Sequence, residues 1–207
     1  MARYTGPVCR ICRRYGEKLM LKGDKCVTKC TLDKRPQPPG PPPTRRRKLS
    51  DRALQLREKQ KARYSYGVLE KQFVSYYKDA VRLPGVTGEN LVRILELRLD
   101  NVVHKMGFAD SLKQARQLVR HGHIMLNGRK TDVPSAKTKA GDVIGWVASS
   151  KNSEYYKTAQ ANMPSKSFAS WLNVDAGQMT GRVVTAPAIA ETPGKFDPAV
   201  IVEYYSR

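Results

Sequence analysis

The stretch 98–146 constrains this chain most, because its residue order leaves room for one arrangement: two helices followed by a small hairpin. Ser111 and Gln114 stand at capping-box spacing and Gly122 suits the position just past a helix end, which bounds one helix to 111–121. Along it Leu112, Ala115, Leu118 and Val119 repeat at helical spacing as an apolar stripe, while Lys113, Arg116 and Arg120 recur on another face. His123-Ile124-Met125-Leu126 follows as a strand, Asn127-Gly128 is a strong hairpin signal, and Arg129-Lys130 opens the return. Past Pro134 the run 142–146 reads as a last strand. A basic helix beside a basic hairpin, with nine Lys/Arg against four Asp in the stretch, is a surface for nucleic-acid phosphates, to which His121, His123 and Asn127 also belong. His104 reads as a helix-face residue, and Asp100, Asp110, Asp132 and Asp142 as caps, turns and local ion pairs.

Charge names the partner. The formal net charge is +20 over 207 residues, so a compact free monomer repels itself unless a polyanion neutralises it. Residues 1–63 carry +14, 64–97 are neutral, 98–146 carry +5 and 147–207 only +1, so the last segment is expected to make internal or protein contacts. The charges do not oppose a long apolar face and no window approaches ~18 apolar residues, which argues against a membrane. The first sixteen residues lack an apolar core of secretory type, so a reducing cytoplasm is the expected compartment. With 23.3 kDa and 40% apolar residues, two or three small units are expected.

All four cysteines fall in the first 30 residues, as Cys9-x2-Cys12 and Cys26-x3-Cys30. Two close pairs let four thiolates converge on one tetrahedral ion, and a complete quartet leaves no open position for a catalytic water. One structural zinc is the expected cofactor; an iron–sulfur cluster, two disulfides or four bare thiols are the alternatives. Seven Lys/Arg between positions 10 and 29 should favour the ligating thiolate. Six prolines within 36–43 then impose an extended spacer, followed at once by Arg45-Arg46-Arg47-Lys48. A proline-rich ligand for a recognition domain is the rival reading of that spacer.

Ser50-Asp51 caps a helix expected to run to about 63, and further helices are expected at 68–83, ended by Pro84-Gly85, and at 88–106. Beyond Trp146, 153–161 reads as helix, 182–185 as strand and 199–205 as helix or strand, with Trp171 and Leu172 plugging a core. The expected organisation is α+β: a zinc module with proline-rich linker over 1–48, a helical core domain over 49–97 completed by 147–207, and an inserted small RNA-binding domain of two helices plus a short antiparallel hairpin over 98–146.

The run RLDNVVHKMGFADSLKQARQLVRHGHIMLNGRKTDVPSAKTKAGDVIGW resembles the small RNA-binding domain named after the fourth protein of the small ribosomal subunit, a module shared with RNA-modifying enzymes and one class of aminoacyl-tRNA synthetase. Met1-Ala2-Arg3-Tyr4, Gly6-Pro7-Val8-Cys9-Arg10, the run 56–61 and the ending Ile201-Val202-Glu203-Tyr204-Tyr205-Ser206-Arg207 resemble that ribosomal family itself, so the likeness spans nearly the whole chain. It implies a non-enzymatic constituent of the small ribosomal subunit in the cytoplasm: a primary binder of small-subunit ribosomal RNA that nucleates assembly and contributes to translational accuracy. Its implied partners are the fifth and other small-subunit proteins and messenger RNA. Many members of the family lack the cysteines, which makes the ion a staple, and this chain's triple proline departs from the family's usual Pro-Pro-Gly-Gln-His-Gly. The residues expected at RNA are Arg3, Tyr4, Arg10, Arg13, Arg14, Arg45, Arg46, Arg47, Lys48, Arg52, Arg57, Lys59, Lys61 and Arg63, together with Lys113, Arg116, Arg120, His121, His123, Asn127, Arg129 and Lys130. The alternatives are an RNA-modifying enzyme or translational repressor using the same domain, and a zinc-finger DNA regulator. The first needs a catalytic domain for which no segment of ~100 residues is left, and the last needs a recognition helix and the His-containing finger spacing.

Overall fold

The computed structural model describes residues 3–41, 48–188 and 196–206. It divides into two units: Met1–Val92 with Pro193–Arg207, and Arg93–Thr192.

In the first unit the cysteine segment folds as three short helices, α1 (Cys9–Tyr15), α2 (Lys25–Thr28) and α3 (Thr31–Lys34). Helix α1 stops where Gly16 takes a left-handed φ of 70° and returns its N–H to the Cys12 carbonyl. Ile11, Cys12, Tyr15 and Leu19 form the module's small core. Helix α4 (Asp51–Ser65) starts where expected, the Ser50 hydroxyl accepting the Ala53 N–H. Helix α5 (Glu70–Arg82) ends before Pro84, and α6 (Thr87–Glu96) follows. Phe73, Ala80 and Leu91 are fully buried, and Asn90 donates from Nδ2 to the Leu83 and Pro84 carbonyls, capping the end of α5. The C-terminal helix (Pro198–Tyr205) packs on α4. Its Tyr205 ring stacks on Tyr77 at 4.6 Å, and the Tyr205 hydroxyl donates to Glu70 Oε1 at 2.9 Å.

The second unit departs from the expected single helix over 88–106. That helix breaks at Leu97-Arg98, and α7 (Leu99–Lys105) begins anew. Arg98 is extended (φ −72°, ψ 138°) and bridges Lys137, while the Leu97 carbonyl accepts both the N–H and the hydroxyl of Thr138 at 2.9 Å. The N–H groups of Leu99 and Asp100 go to Ala136 and Pro134. Backbone groups that a continuous helix would use internally are satisfied by the segment 134–138. Helix α8 (Leu112–Arg120) and the hairpin of β1 (Ile124–Leu126) and β2 (Arg129–Lys130) stand where expected. Asn127 and Gly128 both take positive φ, 51° and 77°, as a two-residue turn of the primed type requires.

The extent of the sheet is the second departure. After β3 (Val143–Trp146) come α9 (Glu154–Asn162), β4 (Leu172–Asp175) and β5 (Thr180–Val183), giving an antiparallel order β2-β1-β3-β5-β4. Ile144 pairs with Leu126 on one side and Gly181 on the other. The described residues 147–188 therefore complete the hairpin's own domain, and among the described residues beyond them the C-terminal helix returns to the helical unit. The compact unit that contains the expected 98–146 module is thus larger than that module. The core takes Val103, Phe108, Val119, Ile124, Ile144, Trp146, Met163, Met179 and Val183, and Trp171 and Leu172 are buried in it.

Candidate nucleic-acid interface

The positive face of the second unit is made by the outward side of α8 and the hairpin laid across its end. Ala115, Leu118 and Val119 turn into the core, while Lys113, Arg120, His121, Arg129 and Lys130 are exposed. Gly122 (φ 72°) joins the two elements. A Cβ there would stand 2.3 Å from Cε of Lys130, so a bare backbone lets the lysine stem cross the helix end. Arg120 Nη1 lies 3.1 Å from Asp132 Oδ2 in an exposed pair, and the His121 and His123 rings are 6.1 Å apart. His123 Nδ1 is 2.9 Å from Ser150 Oγ. Asn127 holds the turn, donating to Asp142 and accepting the Val143 N–H at 2.8 Å. A cavity of about 270 Å³ opens beside this face, lined by Gln114, Gln117, Leu118, His121, His123, Trp146, Ser153 and Tyr155, most of which the charge pattern does not flag.

Arg116 is not on that face. It is buried, with Nη1 3.8 Å from Oδ2 of a fully buried Asp100, whose carboxylate is also held by Arg98 at 2.6 and 3.0 Å. This arginine supports the fold under the positive face.

The N-terminal cluster sorts in the same way. Arg57 donates to the Tyr15 carbonyl. Lys59 is buried 2.6 Å from Glu70 Oε1, and Lys61 is buried between Glu17 at 2.9 Å and Glu58 at 2.6 Å. Arg63 lies 4.4 Å above the Tyr64 ring. Arg13 donates to the Gln37 carbonyl at 2.8 Å, tying the proline segment to α1. These five cations have protein partners within the first unit. Arg3, Arg10, Arg14, Lys48 and Arg52 are exposed and Tyr4 is half-buried; Arg45, Arg46 and Arg47 lie outside the described residues.

Cys9, Cys12, Cys26 and Cys30 line one cavity of about 320 Å³ together with Lys22, Lys25 and Lys29. No disulfide joins them, and Cys26 Sγ accepts the Lys22 N–H at 3.3 Å. Burial pushes the Cys12 thiol up, a backbone hydrogen bond from Leu19 pulls it down, and the other three cysteines push it up again. The expected lowering by nearby Lys/Arg does not prevail at Cys12. Among the described residues no three ligating side chains are gathered closely enough to hold an ion.

Two family models match the chain in succession. Residues 3–96 match the ribosomal protein S4/S9 N-terminal domain and residues 97–144 the S4 domain. The chain is 51% identical to the small ribosomal subunit protein uS4 of Dehalococcoides mccartyi (strain CBDB1) over 207 residues, covering 100% of both chains. It is 49% identical to that of Heliobacterium modesticaldum (strain ATCC 51547 / Ice1) over 208 residues, again covering both chains fully. Two family domains in succession and half the residues shared along the entire length of such relatives show that the chain belongs to the small ribosomal subunit protein uS4 family.

Proposed function

We propose that this chain is a structural, non-enzymatic constituent of the small ribosomal subunit that binds small-subunit ribosomal RNA directly, nucleates assembly and contributes to translational accuracy. The observation that carries the reading is the exposed basic face of α8, joined to the hairpin through Gly122 and backed by a packed core. Helical RNA is recognised mainly through its shape, phosphates and 2′-hydroxyls, and a rigid platform of spaced cations meets that geometry. The exposed Arg3, Arg10, Arg14, Lys48 and Arg52 form a second contact group on the first unit. The fifth small-subunit protein, other small-subunit proteins and messenger RNA are the partners the family likeness offers, in the cytoplasm. Among the described residues no helix is long and apolar enough to cross a membrane.

Cys9, Cys12, Cys26 and Cys30 would hold one structural zinc. Support comes from a thiol-only donor set lining one cavity with a backbone N–H already directed at one sulfur. Bound there, the ion would fasten α1 to the α2–α3 turn.

The test is association. The purified chain should co-sediment with small ribosomal subunits and bind small-subunit ribosomal RNA with a steep loss of affinity in salt. Equal affinity for any linear duplex would sink the reading.

A further inference from the structure

Between α1 and the end of α4 the first unit carries a cavity of about 300 Å³ lined by Tyr4, Arg10, Ile11, Arg14, Tyr15 and Tyr64. Three of the six lining residues are tyrosines set edge-on or tilted to one another: Tyr4 to Tyr64 at 5.7 Å and 73°, Tyr15 to Tyr64 at 6.4 Å and 47°. Their positions are fixed from outside the cavity. The Arg63 guanidinium lies over the Tyr64 ring at 4.4 Å, and that of Arg57 over the Tyr15 ring at 5.7 Å. Arg10 and Arg14 are four residues apart on one helix face, both exposed, and neither guanidinium makes an ion pair or hydrogen bond among the described residues. Tyr4 is held over the cavity by a close approach: a Cβ on Gly6 would stand 2.7 Å from Tyr4 Cζ.

We propose that this cavity is a receptor for one unpaired nucleotide of the bound RNA, its base against the tyrosine wall and its phosphate between Arg10 and Arg14. The proposal rests on the RNA-binding function and adds a defined subsite to it. Aromatic rings stack on any base, and two guanidiniums without carboxylate partners call for an anion; a nucleotide is the ligand that supplies both groups on one frame. A helical stretch of RNA could meet the arginines but would keep its bases stacked on each other. The occupant is therefore a nucleotide turned out of a loop, bulge or junction.

The experiment uses the full chain and small-subunit ribosomal RNA in which unpaired positions are replaced one at a time by abasic residues. In the wild type one position should lose roughly 5- to 150-fold in affinity. In Tyr4→Leu the same abasic substitution should cost less than about twofold, because the ring that held the base is gone. Gly6→Ala displaces the Tyr4 ring while leaving it present and should give the same suppression, which keeps the comparison open if Tyr4→Leu misfolds. Arg10→Gln combined with Arg14→Gln changes exposed positions only. It should lower the slope of log affinity against log salt by about one to two units while preserving the penalty at the abasic position. If the wild type binds the RNA yet every abasic position costs as much in Tyr4→Leu and Gly6→Ala as in the wild type, the receptor does not exist and the RNA-binding function stands. If the wild type shows no preference for this RNA, both fall.

Discussion

Asp100 shows how a charge count misassigns individual residues. It is fully buried and holds Arg98 and Arg116, so a three-member ionic cluster sits beneath the exposed basic face of α8. Removing one partner from such a group leaves an uncompensated buried charge, and Asp100→Ala should destabilise the second unit by about 3–5 kcal/mol, measured by denaturant unfolding. Arg116→Ala is expected to lower the melting temperature as well. Arg120→Ala, at an exposed pair, should leave stability nearly unchanged and reduce the salt slope of RNA binding by about one unit. Equal melting temperatures for Arg116→Ala and Arg120→Ala would overturn this division. The sequence places Lys113, Arg116 and Arg120 on one stripe, but at 3.6 residues per turn Arg116 stands about 60° from Val119 and about as far from Lys113. It borders the apolar side, and only the position of Asp100 on the neighbouring helix decides which way it turns.

Among the elements, α4, α5 and the C-terminal helix meet at one carboxylate, Glu70. Burial alone would raise Glu70, but hydrogen bonds from Lys59 and Tyr205 and the charges of Lys59 and Arg63 outweigh it and hold the carboxyl below its usual range. A carboxylate depressed in the folded state contributes stability above its unfolded value of about 4.3 and loses it as pH falls through the folded value. The first unit should therefore loosen in acid, seen as loss of tyrosine near-ultraviolet dichroism, and Glu70→Gln should flatten that dependence. The zinc module gives a second test at this scale. Elemental analysis after dialysis should find one zinc per chain, and Cys12→Ser should expose residues 1–41 to protease while the Arg93–Thr192 unit stays resistant. A metal-free chain with a fully resistant N-terminus would end the zinc proposal. Capping residues, the Asn-Gly turn and the apolar stripe of α8 were legible because their signals are local. The break at Leu97-Arg98 was not, since it is stabilised by hydrogen bonds to residues about forty positions away. Lys59 and Lys61 read as solvent-facing for the same reason: their carboxylate partners Glu70 and Glu17 are brought to them by packing, and only Glu58 is a neighbour on the same helix.

At the scale of the whole molecule, the nearly neutral segment 147–207 serves both units. Its strands β4 and β5 extend the sheet, with Trp171, Leu172, Met179 and Val183 buried in the same core as Trp146. Truncation after Trp146 is thus a structural lesion. It should abolish cooperative unfolding of the second unit and RNA binding together, and a truncated chain that still unfolded cooperatively would refute the five-stranded domain. The segment's near-neutral charge predicts internal or protein contacts, yet its weak alternation leaves β4 unmarked and hides which unit it completes.

Because the first unit is built from residues at both ends of the chain, with Arg93–Thr192 between them, it is the first to be synthesised and the last to be completed. At ~5–20 residues per second, roughly 5–20 s separate translation of Val92 from translation of Pro193. During that interval α4 and α5 are displayed without the helix that covers them, while the central unit, whose sequence is continuous, has everything it needs to close. A nascent chain of this design offers its most cationic third in an unfinished form, so its early encounters are governed by the order of translation as well as by final shape.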